Sequence, residues 1–194
     1  MKPRWKLREI VVSAVLAVVF GFVFVGADAL WGVVNAIGGP LLTDAIFGLW
    51  FVGGTGVAFI MRRPGAALFG EVLGAIVEML AGGPIGLRLI IVGLIQGAGA
   101  EAVYVLTRYR RWDLTVNALA GVGASAFSWV WTLVGPSAFF KFSAGFLVAD
   151  FVIRGVSGAV LGGILPALLG VALSRTGVLS GFAIDLDRRR LLAR

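Results

Sequence analysis

The chain has 194 residues, 59% of them hydrophobic and 14% charged, and its mean hydropathy is +1.00. A soluble domain of this length cannot hide so much apolar surface, so the composition excludes an ordinary globular enzyme and points to a bilayer. With no cysteine and no histidine, the chain also lacks disulfides, thiolate nucleophiles, haem ligands and the usual zinc ligands, and no metal or cofactor is expected.

A membrane span takes about 20 residues. Apolar runs fall at Leu7–Ala27, Leu41–Met61, Ala66–Ala81, Leu87–Thr107, Val116–Val134 and Phe146–Leu173. They are broken by Arg62–Arg63–Pro64, by Gly82–Gly83–Pro84, by the polar stretch Arg108 to Asp113, and by Gly135–Pro136. The pattern predicts an all-α polytopic membrane protein: one domain over residues 1–194, built as a bundle of six transmembrane helices. The residues from about Asp28 to Leu41, rich in glycine and ending in Pro40, read as a long outer connection able to fold over a pocket.

Charge sets the expected orientation. With the N-terminus inside, the inner segments hold Lys2, Arg4, Lys6 and Arg8, then Arg62 and Arg63, then Arg108, Arg110 and Arg111. The tail adds Arg175, Arg188, Arg189, Arg190 and Arg194, which brings the inner count to fourteen of the seventeen basic residues. Only Arg88 and Lys141 fall outside, and Arg154 lies within the last span. This bias predicts both termini in the cytoplasm. It also accounts for the net charge of +7 by topology, without nucleic acid as a partner. A signal-peptide reading of residues 1–27 is set aside, because the apolar run is long and lacks a small-x-small cleavage site.

Polar residues inside the spans carry the functional signal. Glu71 and Glu78 lie seven apart in the third span, on one face and about 10 Å apart along the axis. Gly74 and Ala75 between them leave a hollow. A carboxylate near the bilayer centre costs about 2.5–3.5 kcal/mol on insertion scales, so two on one face need a reason: a ligand or ion path, or one acid pairing with a buried Arg while the other reaches the outer interface. The fourth span adds Gln96 and Glu101, turned about 140° apart, with Gly93, Gly97 and Glu101 on a four-residue repeat. Gln96 is the better pocket residue; structural pairing and ligand contact both stay open for Glu101. Asp150 and Arg154 form an i,i+4 ion pair. The excess of interior acids over Arg154 calls for protonation or for a cationic ligand.

Trp31, Trp50, Trp129, Trp131 and the Phe139–Phe140 pair fall in the outer half. Tryptophan there is ordinarily a membrane anchor, but an aromatic face also binds a flat ring or a cation. Trp31 and Asn35 belong to the outer connection. Ser13, Ala17 and Gly21 make a small-residue stripe on the first span, repeated by Gly158 and Gly162 in the last, which permits close helix packing.

The segments WKLREIVVSAVLAVVFG, RRPGAALFGEVLGAIVEML, VGLIQGAGAEAV and VIRGVSGAVLGG together resemble a substrate-binding S component of an energy-coupling factor (ECF) vitamin importer. The closest kind is the hydroxymethylpyrimidine/thiamine type, and the likeness covers nearly the whole chain. It implies a multi-pass cell-membrane protein that binds thiamine or hydroxymethylpyrimidine, a transmembrane coupling (T) subunit, and two ABC ATPases as partners. It also implies that Ser13, Ala17 and Gly21 dock the coupling subunit. The residues agree in part. No GxxxxGK[ST] loop is present, so ATP hydrolysis falls to another chain. Glu71, Glu78, Gln96 and Glu101, with Trp31, Asn35 and Trp50, suit an aminopyrimidine and a cationic thiazolium. Few cations are available for a phosphorylated form. A small proton-coupled carrier using Glu71 and Glu78 as a relay is the alternative. An intramembrane enzyme lacks a suitable dyad.

Overall fold

The structure is a computed structural model that describes residues 5–134 and 142–192, apart from the side chains of 188–192. The Gly135–Pro136 break, the Phe139–Phe140 pair, Lys141, Lys2, Arg4 and Arg194 lie outside the described residues. All regular structure within them is helical.

Helix α1 runs from Leu7 to Asp44, 38 residues or about 57 Å at 1.5 Å per residue. The expected break near Ala27 does not occur. Between Ala27 and Gly38 there is no proline, and unbonded backbone in hydrocarbon costs more than the roughly 1 kcal/mol of each helical glycine. The interruption comes only at Gly39, whose φ of 66° and ψ of −161° are open to glycine alone, placed before Pro40, which disfavours the α conformation in its predecessor. Trp31 and Asn35 therefore sit on a helix, not on a lid.

A 3₁₀ turn, Phe47–Phe51, leads into α2, Val52–Met61, whose ten residues are all buried. This short helix is the centre of the bundle. It approaches α3 (Ala66–Leu80) so closely that a Cβ on Gly70 would lie 2.5 Å from the Gly53 carbonyl. Left-handed Arg62, Pro64 and Gly65 make the sharp turn between them. Then follow α4, Arg88–Leu106, and α5, Leu114–Val134, which starts where the Asp113 carboxylate accepts the Val116 N–H at 3.0 Å. Helix α6, Ala144–Ala159, passes through a π segment, Val160–Ile164, into α7, Leu165–Arg175. The wider turn frees backbone carbonyls. Thr55 donates its hydroxyl to the Gly162 carbonyl, and Asn117 donates to Gly163 at 2.7 Å while accepting from the Tyr104 hydroxyl. Helix α8, Ala183–Leu192, closes the described chain.

Four helical runs are long and apolar enough to cross a membrane: Leu7–Asp44, Arg88–Leu106, Leu114–Val134 and Ala144–Arg175. Their outward faces carry exposed Val15, Val19, Phe22, Phe127, Val130, Val148 and Val152, as lipid contact requires. The run Phe47–Met61 and helix α3 are shorter. The chain is thus a polytopic helical membrane protein.

The basic segments meet at one end of the bundle. Trp5 donates to the Pro64 carbonyl at 3.1 Å, Arg63 pairs with Glu9 at 2.7 Å, Arg8 donates to the Ser180 carbonyl at 2.8 Å, and Arg62 pairs with Asp187. Because α3 runs from this end, the 81–87 turn lies at the other.

The structure gives the small-residue stripe on α1 a neighbour inside the chain. Ser13, Ala17 and Gly21 are buried within the chain, and a Cβ on Gly21 would lie 2.6 Å from Val77 Cβ and 2.9 Å from the Gly74 carbonyl. Within the chain, the stripe forms an intramolecular seam with α3. Gly158 and Gly162 likewise face Gly121, Gly48 and Phe51. Ala17→Trp is therefore expected to lower stability by about 1–3 kcal/mol or more through overpacking. Val19→Trp, on the lipid side of the same helix, should change it by about 0.5 kcal/mol or less. Thermal unfolding in detergent compares the two. By the same measurement, Asn117→Ala should cost about 1–3 kcal/mol, because it strands the Tyr104 hydroxyl and the Gly163 carbonyl.

Candidate substrate-binding site

A cavity of about 680 Å³ opens among α1, the 3₁₀ turn, α3, the 81–87 turn and α4. Its volume falls within the range of small-molecule pockets. Phe24, Asp28 and Trp31 reach it from α1, their i, i+4, i+7 spacing placing them on one face. Phe47 and Trp50 come from the 3₁₀ turn, Ala75 and Glu78 from α3, Pro84 and Ile85 from the turn, and Leu89 and Gln96 from α4. Helices α3 and α4 touch at Gly93, where a Cβ would lie 2.7 Å from that of Ala75. The hollow expected at Gly74 is filled by the Phe24 ring, 2.7 Å from where a Cβ would stand.

The polar part of the lining is small. Glu78 is 2% exposed and accepts a hydrogen bond from the Trp50 indole N–H at 3.2 Å. The half-buried Asp28 carboxyl lines the same cavity, within interacting range of Glu78 and Trp50. Gln96 is 4% exposed, and its amide donates to Ser128 Oγ over a long 3.4 Å. The lining holds two acids and no base.

The nearest buried cation stands behind the wall. The Arg154 guanidinium lies 4.2 Å from the centre of the Phe47 ring, which in turn packs against Trp50 at 5.5 Å. The expected pairing with Asp150 is present at 3.4 Å, but Asp44 at the end of α1 is the nearer partner, at 2.7 Å. Arg154 is thereby neutralised by acids outside the cavity, and Glu71 has no part in balancing it.

Other residues singled out by the sequence go elsewhere. Glu71 turns to α2, where its Oε2 accepts the Gly54 N–H at 2.6 Å in the helix's first turn. Glu101 receives N–H groups from Gly65 at 2.6 Å, Ala67 at 2.9 Å and Leu68 at 3.3 Å, and the Tyr109 hydroxyl at 2.7 Å. Each carboxylate satisfies backbone donors that a helix start leaves open, where the dipole also favours negative charge. Both are caps supplied by a neighbouring helix, and neither lines the cavity. Asn35, a full turn beyond Trp31, does not line it either. Trp129 packs edge-on against Phe151, and Trp131 borders a small apolar groove with Phe127. The cavity brings together Trp31, Trp50, Glu78 and Gln96, and leaves out Glu71, Glu101 and Asn35.

Among the polar and aromatic lining residues, the sequence reading did not assign Phe24, Asp28 and Phe47 to the site. The signal for the first two was present, since Phe24, Asp28 and Trp31 share a stripe once the helix is continued past Ala27. Phe47 had none, because its place depends on the 3₁₀ turn.

Residues 8–127 match the family described as ABC-type cobalt transport system, permease component. The chain is 38% identical over 186 residues to the putative HMP/thiamine permease protein YkoE of Bacillus subtilis (strain 168), covering 96% of this chain and 93% of that one. A solved structure, described as the crystal structure of an S-component of an ECF transporter, superposes with a TM-score of 0.93 at 38% identity. The match covers 98% of this chain and 97% of that one. With a helical membrane bundle, a ligand-sized cavity and these relatives, the chain belongs to the ABC-type cobalt transport permease family and is an S component of an ECF transporter, a multi-pass cell-membrane transport protein and not an enzyme.

Proposed function

We propose that the chain captures thiamine or its hydroxymethylpyrimidine moiety from outside the cell for an ATP-driven ECF importer. The observation that carries this reading is the cavity's charge: two carboxyl groups, no base, and indole walls. A thiazolium cation offsets the acids, and Trp31 and Trp50 offer faces to flat rings. Glu78 and Gln96 supply acceptors and donors to an aminopyrimidine edge. The name of the Bacillus subtilis relative supports the same substrate class. The cobalt in the family's description suits this donor set less well, because carboxylates without imidazole or thiolate are weak competitors for a first-row transition metal. A transmembrane coupling subunit and two ABC ATPases complete the importer in this reading.

The same reading takes the six helical runs as six passes, with Phe47–Met61 and α3 as the short inner ones, and places the basic end in the cytoplasm. The cavity then faces outward. Because the chain has no cysteine, single replacements report directly. In intact cells Leu87→Cys should react with an impermeant thiol reagent and Arg110→Cys should not. The reverse labelling would invert the orientation.

Binding tests the site. A hydrogen bond to a charged group contributes about 1.5–3 kcal/mol, so Glu78→Gln should weaken thiamine binding about ten- to a hundredfold by calorimetry on purified protein. Glu71→Gln should leave affinity within about threefold, a shift of only about 0.7 kcal/mol, and should act instead on thermal stability. Unchanged affinity in the Glu78 variant, with a loss in the Glu71 variant, would move the site to the α2–α3 interface. Uptake should require the partner ATPases and persist when an uncoupler collapses the proton gradient.

A further inference from the structure

Two carboxyl groups face each other in the cavity, and neither has a cation for a partner. Asp28 on α1 and Glu78 on α3 line the same cavity, near enough to act on each other, and the Trp50 indole N–H donates to Glu78. An ionised carboxylate only accepts hydrogen bonds, so the two carboxyls can bond to each other only when one of them holds a proton. Two negative charges in one cavity lining without a base also repel strongly where water is scarce.

The other titratable group that acts on the pair is Glu71, two turns before Glu78 on α3; like-charge repulsion links the two, but Glu71 is turned to the Gly54 N–H and does not line the cavity. Of titratable side chains, α1 contributes only Asp28 to the lining and α3 only Glu78, while the 3₁₀ turn contributes an indole and a phenyl ring. The 81–87 turn contributes glycine, proline and aliphatic side chains, and α4 the neutral Gln96. Arg88, at the start of α4, is exposed and outside the lining. Arg154 lies behind Phe47 and is held by Asp44 and Asp150.

We infer that Asp28 is a substrate-contacting residue, and that the empty Asp28–Glu78 pair holds one proton which an organic cation displaces on binding. The inference rests on the reading of the cavity as a site for thiamine-like ligands. The balance is simple. The empty pair carries one proton and one negative charge. A ligand with a fixed positive charge brings both carboxyls to the ionised form, and the proton passes to water. The occupied site again has a net charge of minus one, and no other reactant is needed. Asp28 is the half-exposed member and Glu78 the buried one, so the proton has a path to solvent through Asp28. An uncharged hydroxymethylpyrimidine gives no such drive. It leaves the proton in place, where the acid and the carboxylate together match a ring nitrogen and its neighbouring amino group. The pair thus distinguishes charged from uncharged ligands by linkage to pH.

Calorimetric titration of the purified protein in buffers of differing ionisation enthalpy measures the linkage. Thiamine should release about one proton per molecule bound, and hydroxymethylpyrimidine about none. Thiamine affinity should fall about tenfold per pH unit on the acid side of the pair's titration, while that of the pyrimidine changes little. Asp28→Asn keeps the shape and should reduce thiamine-linked release to near zero. The infrared difference between ligand-free wild type and Asp28→Asn should contain the carbonyl band of a protonated carboxyl group, which needs no ligand at all. Tight thiamine binding without proton release overturns the inference and leaves the functional reading standing. Lack of thiamine binding overturns the functional reading and the linkage with it. A missing carboxylic-acid band overturns the shared proton whatever the ligand.

Discussion

Hydrocarbon solvates neither a carboxylate nor a backbone N–H, and much of this bundle follows from pairing one with the other. Glu71 reaches across to the first turn of α2, and Glu101 to the first turn of α3. Each settles two debts together, since the helix start needs an acceptor and the acid needs donors. Arg154 gathers Asp44 and Asp150 in the same way, tying the end of α1 to α6. Removing either kind of pairing would leave a buried charge or orphaned donors, which is why these acids hold helices in register. Against that background the Asp28–Glu78 pair stands apart. It is the place in the described bundle where two acids meet in a cavity, with only an indole as donor.

The architecture makes that place by packing tightly elsewhere. Buried α2 stands at the centre; the Gly53 and Gly70 backbones bring α2 against α3, and Gly21 of α1 leaves room for the Val77 side chain and the Gly74 carbonyl of α3. The π segment between α6 and α7 wraps its freed carbonyls onto Thr55 and Asn117, which fixes the last span against the centre. The cavity lies towards the end where the 81–87 turn closes, away from the cross-linked basic end. Its aromatic wall is backed by a charge: Arg154 under Phe47, Phe47 against Trp50, and Trp50 on Glu78. The floor residue Phe24 fills the notch at Gly74 and separates the two acids of α3 into different environments. A single helix face thus serves two ends, one structural and one facing a ligand.

The sequence by itself determined the solvent. A mean hydropathy of +1.00 and apolar runs with basic breaks admit only a helical membrane protein, because hydropathy and length are local properties. It also singled out Glu78, Gln96, Trp31 and Trp50, since an acid or amide within a span, and indoles near its end, stand out against an apolar background. Which neighbour each polar group meets was decided only by the tertiary structure. Glu71 and Glu78 share a helical face in any reading, yet one caps α2 and the other lines the cavity, because Phe24 from α1 comes between them. Glu101 carries the same chemistry as Glu78 and differs only in standing over the start of α3. Ser13, Ala17 and Gly21 announce a close contact in the sequence, but small residues serve a seam inside the chain as well as one between chains. Asp28 was read as the start of a loop because three glycines and a proline follow within twelve residues. In hydrocarbon the helix continues, since backbone hydrogen bonds outweigh those propensities, and that continuation turns Asp28 toward Glu78. Periodicity fixes the face on which a residue lies; the packing of one helix against another decides what that face is for.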